Sequence, residues 1–462
     1  MKHQVASAKL KAPNAGRWPT WLEVSRWVFG ISLVLGAGCW EFPTVAQETN
    51  SPPQRIDLPT ALRLAGAQNL DVQIAREKVR EAQALHQGAV AQFFPWISAG
   101  IAYRQHDGNA QETSGDIIDA NKFSYTPGGA LVAQVDLGDA LFKSLAAKQV
   151  ASAAAHGLEA QRQESVLAAA AGYFNLTFAQ SAVGVAMEAR RISADYEMQV
   201  MRATGTGLAF KGDALRARVQ KDRNELVLRQ AREHQRIAAA QLAQTLRLDP
   251  SVDLVAADIA PVPLDLITNT ALSALMAQAL GANPQLKQSA ALTAAAREGK
   301  SGATYGPLIP TLSGSAFWGG LGGGRESGPS TFGGQDDYFV GASWRIGPGG
   351  LFDFTRIKAS DARLRTTELG LEKMKNDLMR QVVETATRCR SQAEQMATAK
   401  SALATAEEAL RLTQQRKEFA VGIVLENIQA EQDLTRARLD YLKTVTAYNQ
   451  TQYQLQSVLG GL

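Results

Sequence analysis

The chain matches itself. At an offset of about 210 to 215 residues, five landmarks recur in the same order. Asn69 pairs with Asn283, Pro95-Trp96-Ile97-Ser98 with Pro310-Thr311-Leu312-Ser313, and Leu141-Phe142 with Leu351-Phe352; Gly207-Leu208 then pairs with Gly422-Ile423, and Ala217 with Ala430. A period this long is no solenoid repeat, so each copy is a large unit in its own right. The boundaries read as a leader over 1–46, a short linker over 47–57, a first repeat over 58–250, a second linker over 251–270 and a second repeat over 271–462.

Each copy carries the same series: helix, strand, polar loop, strand, very long helix, tight turn, helix. Residues 139–204 contain no proline and abound in Ala, Leu, Glu, Gln, Arg and Lys. A helix of that length reaches about 100 Å at 1.5 Å per residue. Such helices persist in water only by packing. The spacing of Val72, Ala75, Val79, Ala82 and Ala89, and the seven-residue recurrence of Leu434, Tyr441, Tyr448 and Leu455, predict coiled-coil seams.

Four segments alternate with period two instead. Ile97, Ala99, Ile101 and Tyr103 share one face, as do Leu131, Ala133 and Val135. In the second copy Leu312, Gly314, Ala316 and Trp318 do so, followed by Tyr338, Val340, Ala342 and Trp344. Segments of about nine to eleven residues fit tilted membrane-barrel strands. Of seven tryptophans, four lie in the leader and the other three, Trp96, Trp318 and Trp344, lie in these segments, an interfacial placement. Ile97, Ile101, Val135, Val340, Trp318 and Trp344 are the expected lipid-facing residues. The polar stretches 105–129 and 319–337 between the strands read as external loops. Four strands cannot close a transmembrane barrel, so several copies must contribute to one.

The leader supports export. Five Lys/Arg residues precede or flank an apolar run from Trp27 to Trp40. Cleavage fits after Thr44-Val45-Ala46, while Cys39, preceded by Gly36-Ala37-Gly38, is a rival lipid-attachment site. Without the leader's five basic and two acidic residues, 43 basic and 42 acidic residues remain, which removes the electrostatic basis for nucleic-acid binding. No other stretch is expected to span a membrane as a helix. Catalysis finds no support: His86, His106, His156 and His234 are scattered, and Gly299-Lys300-Ser301 lacks the first glycine of a phosphate loop, Ala294 standing there. No cofactor or metal site is expected.

These paired blocks, together with the Leu-Phe pairs and the glycine turns followed by an acid and an alanine (Gly207, Asp213, Ala217; Gly422, Glu426, Ala430), resemble the TolC family of outer-membrane efflux proteins. The resemblance covers about 58–459. It implies an α+β membrane protein in which three protomers share a twelve-stranded β-barrel continued by a periplasmic α-helical coiled-coil tunnel. The implied function is the passive outer-membrane exit duct of a tripartite efflux or type I secretion system, working with a periplasmic adaptor (membrane fusion) protein and an inner-membrane pump. By the same resemblance, Gly207, Leu208, Val421, Gly422 and Ile423 map to adaptor-docking tips, and Asp213 and Glu426 to the periplasmic aperture. The rival reading is a periplasmic coiled-coil adaptor or scaffold without a barrel.

Overall fold

The computed structural model describes residues 54–94, 96–266, 270–325, 330–418 and 424–462. The leader 1–46, Pro95 and the tip residues Val421, Gly422 and Ile423 lie outside the described residues.

The duplication is physical. Helices α1 (Leu58–Gln68) and α2 (Leu70–Ala91) have counterparts of identical length in α5 (Leu272–Ala282) and α6 (Pro284–Tyr305). The long helices α3 (Leu137–Gly205) and α7 (Phe354–Glu418) are followed by α4 (Lys211–Thr245) and α8 (Val424–Val458), both of 35 residues. The matched asparagines show why the pattern recurs. Asn69 separates α1 from α2, its Oδ1 accepting from the Asp71 N–H at 2.8 Å while Nδ2 donates to the Thr245 carbonyl at the end of α4. Asn283 does the same between α5 and α6, accepting from Gln285 and Leu286 N–H and donating to the Val458 carbonyl at the end of α8. One side chain therefore caps a new helix and ties it to the end of the last helix of its own repeat.

The core follows the same division. Ala61 and Ala65 of α1 pack with Tyr173, Leu176, Leu242 and Leu246 in the first repeat, while Leu275 and Ala279 of α5 pack with Leu378, Val382 and Leu455 in the second. Of the residues on the expected seams, Val72, Ala82, Ala89, Leu434 and Leu455 are buried. Among the described residues one helix, α3, is apolar and long enough to cross a membrane, contrary to the expectation that none besides the leader would be. Its most apolar window is 44% buried inside the protein.

Short strands β1 (Gln54–Ile56) and β6 (Leu254–Ala256) pair in parallel, so both linkers are partly structured. The stretch after β6 is laced to α8: Asn449 and Gln452 each accept from one backbone N–H and donate to one carbonyl within 262–266, at 2.7 to 2.9 Å.

The remaining strands are β2 (Trp96–His106), β3 (Asn109–Gln111), β4 (Ile117–Asp119), β5 (Lys122–Asp136), β7 (Thr311–Arg325) and β8 (Thr331–Ser343). Four of them form one antiparallel sheet in the order β2-β5-β7-β8. The strands run to 11, 15, 15 and 13 residues, longer than expected, and absorb most of the two stretches read as loops. Glycine is the reason. A Cβ on Gly322 would lie 2.3 Å from the Tyr125 ring, and one on Gly320 would lie 2.2 Å from the Phe332 ring. The glycine-rich run looks like a loop in sequence but is a strand whose missing side chains make room for neighbouring aromatics.

Candidate docking tips, aperture and barrel face

Directly paired residues of an antiparallel sheet share a face. The register pairs Ile97 with Leu131, Leu131 with Ala316, and Ala316 with Tyr338; one step along, Ala133 pairs with Gly314 and Gly314 with Val340. All four apolar sets read from alternation therefore lie on one side of the sheet. Ile97 is 80% and Val340 91% exposed, and Ile101 is exposed too. Trp318 and Tyr338 meet edge to face, and the indole N–H donates to the Tyr338 hydroxyl at 2.9 Å.

One call needs correction. Val135 shares this face but is 9% exposed, because it sits two residues before α3, where sheet gives way to helix and the protomer covers it. Trp344 lies one residue past β8 and is fixed by its indole N–H donating to the Leu308 carbonyl at 3.2 Å. Asp336 is exposed on the same face, level with Trp318. Below it the face is uncharged, and exposed Phe94, Leu308, Ile346, Phe352 and Phe354 crowd the junction with the helices.

That junction is locked between repeats. Asp136 caps α3 by accepting from the Asp139 N–H, and Asp353 accepts from the Arg356 N–H at the start of α7. Arg356 then reaches Asp139 at 2.8 Å, with Lys143 on the same carboxylate. Burial raises the Asp139 carboxyl's pKa, but the two cations outweigh it and hold it below the usual range. The hydroxyl of Thr355 and nearby backbone N–H groups bring Asp353 down to about 2.

At the far end, α3 stops in a Schellman turn. Gly207 has φ +78°, Leu208 N–H bonds back to the Ala203 carbonyl at 2.8 Å and Gly207 N–H to that of Thr204. Nothing lies within 4 Å of a Cβ at Gly207, so the backbone angle and not space calls for glycine. The turn thrusts two apolar side chains into solvent, Leu208 at 85% and Phe210 at 83% exposure. Phe210 was not among the tip residues expected from the sequence.

Asp213 and Glu426 fall in the first turns of α4 and α8, where a helix dipole favours acids. Each has an arginine partner: Arg216 lies 3.3 Å from Asp213, and Arg416 of α7 lies 3.5 Å from Glu426. Between α4 and α8 runs a groove of about 480 Å³ lined by Leu215, Val219, Leu425 and Ile428, with Arg216 and Arg223 at its edge.

Behind this groove is a polar cluster the sequence did not reveal, since its members look like ordinary surface residues of Ala-, Gln- and Arg-rich helices. Glu431 of α8 is 2% exposed. Its Oε1 accepts from Asn224 of α4 at 2.9 Å, and its Oε2 has no partner. Burial pushes this carboxyl up to about 7 against the opposing pull of Asn224. Burial, then the charges of Asp213 and Glu431, push Tyr196 of α3 up to about 12.

Residues 275–461, spanning most of α5 through α8, match the model of the outer membrane efflux protein family. The match falls within the second repeat. The efflux-protein fold extends through the first repeat as well. The outer-membrane channel OprN aligns with TM-score 0.73 at 18% identity over 88% of this chain and 90% of its own. The Campylobacter jejuni CmeC outer membrane channel gives 0.74 at 14% over 87% and 85%, and the Vibrio cholerae outer membrane protein VceC 0.71 at 16% over 87% and 96%. At these identities the likeness is one of fold. No curated protein matches the sequence as a relative.

Proposed function

We propose that this protein is an outer-membrane exit duct of a tripartite efflux system or type I secretion system. The observation that carries the reading is a four-stranded sheet with one face apolar from the level of Asp336 to the helices and two unpaired edges, β2 and β8. In an alternating antiparallel sheet of four, the edge strands run in opposite directions, so β8 of one copy can pair with β2 of the next and keep the barrel antiparallel throughout. Three copies give twelve strands, above the minimum of about eight for a membrane barrel. The helices then continue it as a periplasmic tunnel.

The helical tips are the docking end for a periplasmic adaptor that links the duct to an inner-membrane pump. Leu208 and Phe210 beside the apolar groove between α4 and α8 support this, as solvent-exposed apolar side chains at a rigid turn form a surface suited to a helical partner. Val421, Gly422 and Ile423 are the matching sequence positions of the second repeat. Asp213 and Glu426, repeated by threefold symmetry, set cation preference at the mouth. A barrel-free adaptor is the poorer reading, because it leaves the apolar face of the sheet without a role.

Native mass spectrometry of protein extracted from outer-membrane fractions tests the duct. Detergent-dependent trimers are expected; a water-soluble monomer overturns it. Replacing both Leu208 and Phe210 with Ser is expected to abolish efflux while leaving trimers intact, and normal efflux would remove the tips from the docking site.

A further inference from the structure

We propose that Glu431 is a proton-operated latch between the two repeats: neutral, it holds α8 against α3 and α4, and ionised, it loosens that contact. The geometry sets the argument. Glu431 is buried five residues into α8 beyond Glu426, where α8 crosses the hairpin of the first repeat. Its one hydrogen bond comes from Asn224 Nδ2, which also lies 3.1 Å from the Ala189 carbonyl and 3.0 Å from the Ser193 hydroxyl. An amide nitrogen has two protons for these three acceptors, so a carboxylate here is under-served. Its other oxygen has no donor. A neutral carboxyl tolerates that position, whereas a carboxylate without compensating bonds or charge does not.

The surrounding charges do not supply the missing compensation, and among the described residues no cation lies within ion-pair distance of Glu431. From α4, Lys221 is taken by Glu197 of α3 at 2.8 Å. Arg190 of α3 and Glu225 of α4 pair at 2.9 Å. On α7, the pairs Glu407–Arg438 and Arg416–Glu426 bracket the level of Glu431, and Arg411 between them is held by Glu408. Asp213 and the Tyr196 phenol add only negative charge or a neutral dipole.

The packed carboxyl titrates at about 7, above its solvated value of 4.5, so the proton is held more tightly in the packed state. The contact is strongest below about pH 4.5, weakens through the interval and is weakest above about 7, the balance shifting by up to about tenfold per pH unit. That loosening widens a periplasmic mouth rests on the duct reading; the latch itself does not.

The test uses full-length protein in detergent, with Cys389→Ser and spin labels at Arg218→Cys on α4 and Gln429→Cys on α8, both exposed positions, diluted into unlabelled chains. The distance distribution is expected to be short and narrow at pH 5 and to shift or broaden by pH 8. In E431Q, which keeps the acceptor for Asn224 but cannot ionise, it is expected to stay short throughout. N224A, which removes the only bond favouring the ionised form, is expected to move the midpoint to higher pH. A distribution that ignores pH, an E431Q protein that responds like its parent, or an N224A midpoint that falls overturns the latch. Because transport is not measured, none of these results depends on the duct reading, which the trimer experiment addresses separately.

Discussion

The two repeats have the same helices but not the same surroundings. α3 is the hub of the protomer, packed against α1, α2, α4, α6 and α8, and buries Tyr173, Phe174 and Leu176 in its middle. Its counterpart α7 packs against α5, α6 and α8 and buries far less, chiefly Leu364, Leu378, Val382 and Leu410, leaving Leu369 and Leu412 exposed. One duplicated unit has become a core and the other a flank. The difference leaves the second repeat with more exposed apolar surface on its long helix, the surface that the proposed shared barrel and tunnel would cover.

If both repeats contribute to one lipid-facing wall, matched charges should be equally harmful. Ile97→Arg in the first repeat and Val340→Arg in the second are each expected to cost about 2–4 kcal/mol, read as lost trimer in outer-membrane fractions. Ile101→Arg should cost less, toward about 0–1 kcal/mol, because Ile101 lies beyond the level of Asp336. Tolerance at Val340 alone would break the equivalence of the repeats.

The matched asparagines give a finer comparison. Asn283→Ala removes three hydrogen bonds from a buried site, and Asn69→Ala removes two from a half-buried one. Costs of about 1–2 kcal/mol are expected, larger at Asn283, measured as the change in urea midpoint. The reverse order would mean that the first repeat, not the second, depends on its clamp.

The smallest effect is expected where the repeats are tied together. Asp139 is held below its usual pKa by Lys143 and Arg356, so its contribution is present above about pH 4 and lost as pH falls further. Asp139→Asn should lower stability at pH 7 by less than about 1 kcal/mol, since the pair is partly exposed, and should erase part of the acid dependence. An unchanged acid profile would show that the junction holds without this ion pair. Glu431 has the opposite sign and weakens its contact as pH rises, so the two ends of the molecule should respond to pH in opposite directions.

Much of this was legible beforehand because it depends on periodicity. Period two sorted Ile97, Leu131, Ala316 and Val340 onto their faces, and period seven marked Leu434 and Leu455 as buried. Asn69, Asn283 and Gly207 stood out because capping and left-handed turns accept few residue types. What misled was composition without neighbours: Gly320 and Gly322 read as loop because the aromatics that fill their space come from other strands.

The sequence by itself determined the duplication, the long helices, the alternating strands and the glycine at the tip, since each follows from local backbone preference and the spacing of apolar residues along one segment. Only the tertiary structure decided that four apolar half-faces form one wall, that Val135 is covered, that Asp139 meets Arg356, and that Glu431 is buried with one oxygen unbonded. Those facts depend on register and on which helices cross. Register is set by pairing between distant strands, and the cost of a buried carboxylate by what surrounds it, neither of which is written in the residue's own neighbourhood along the chain.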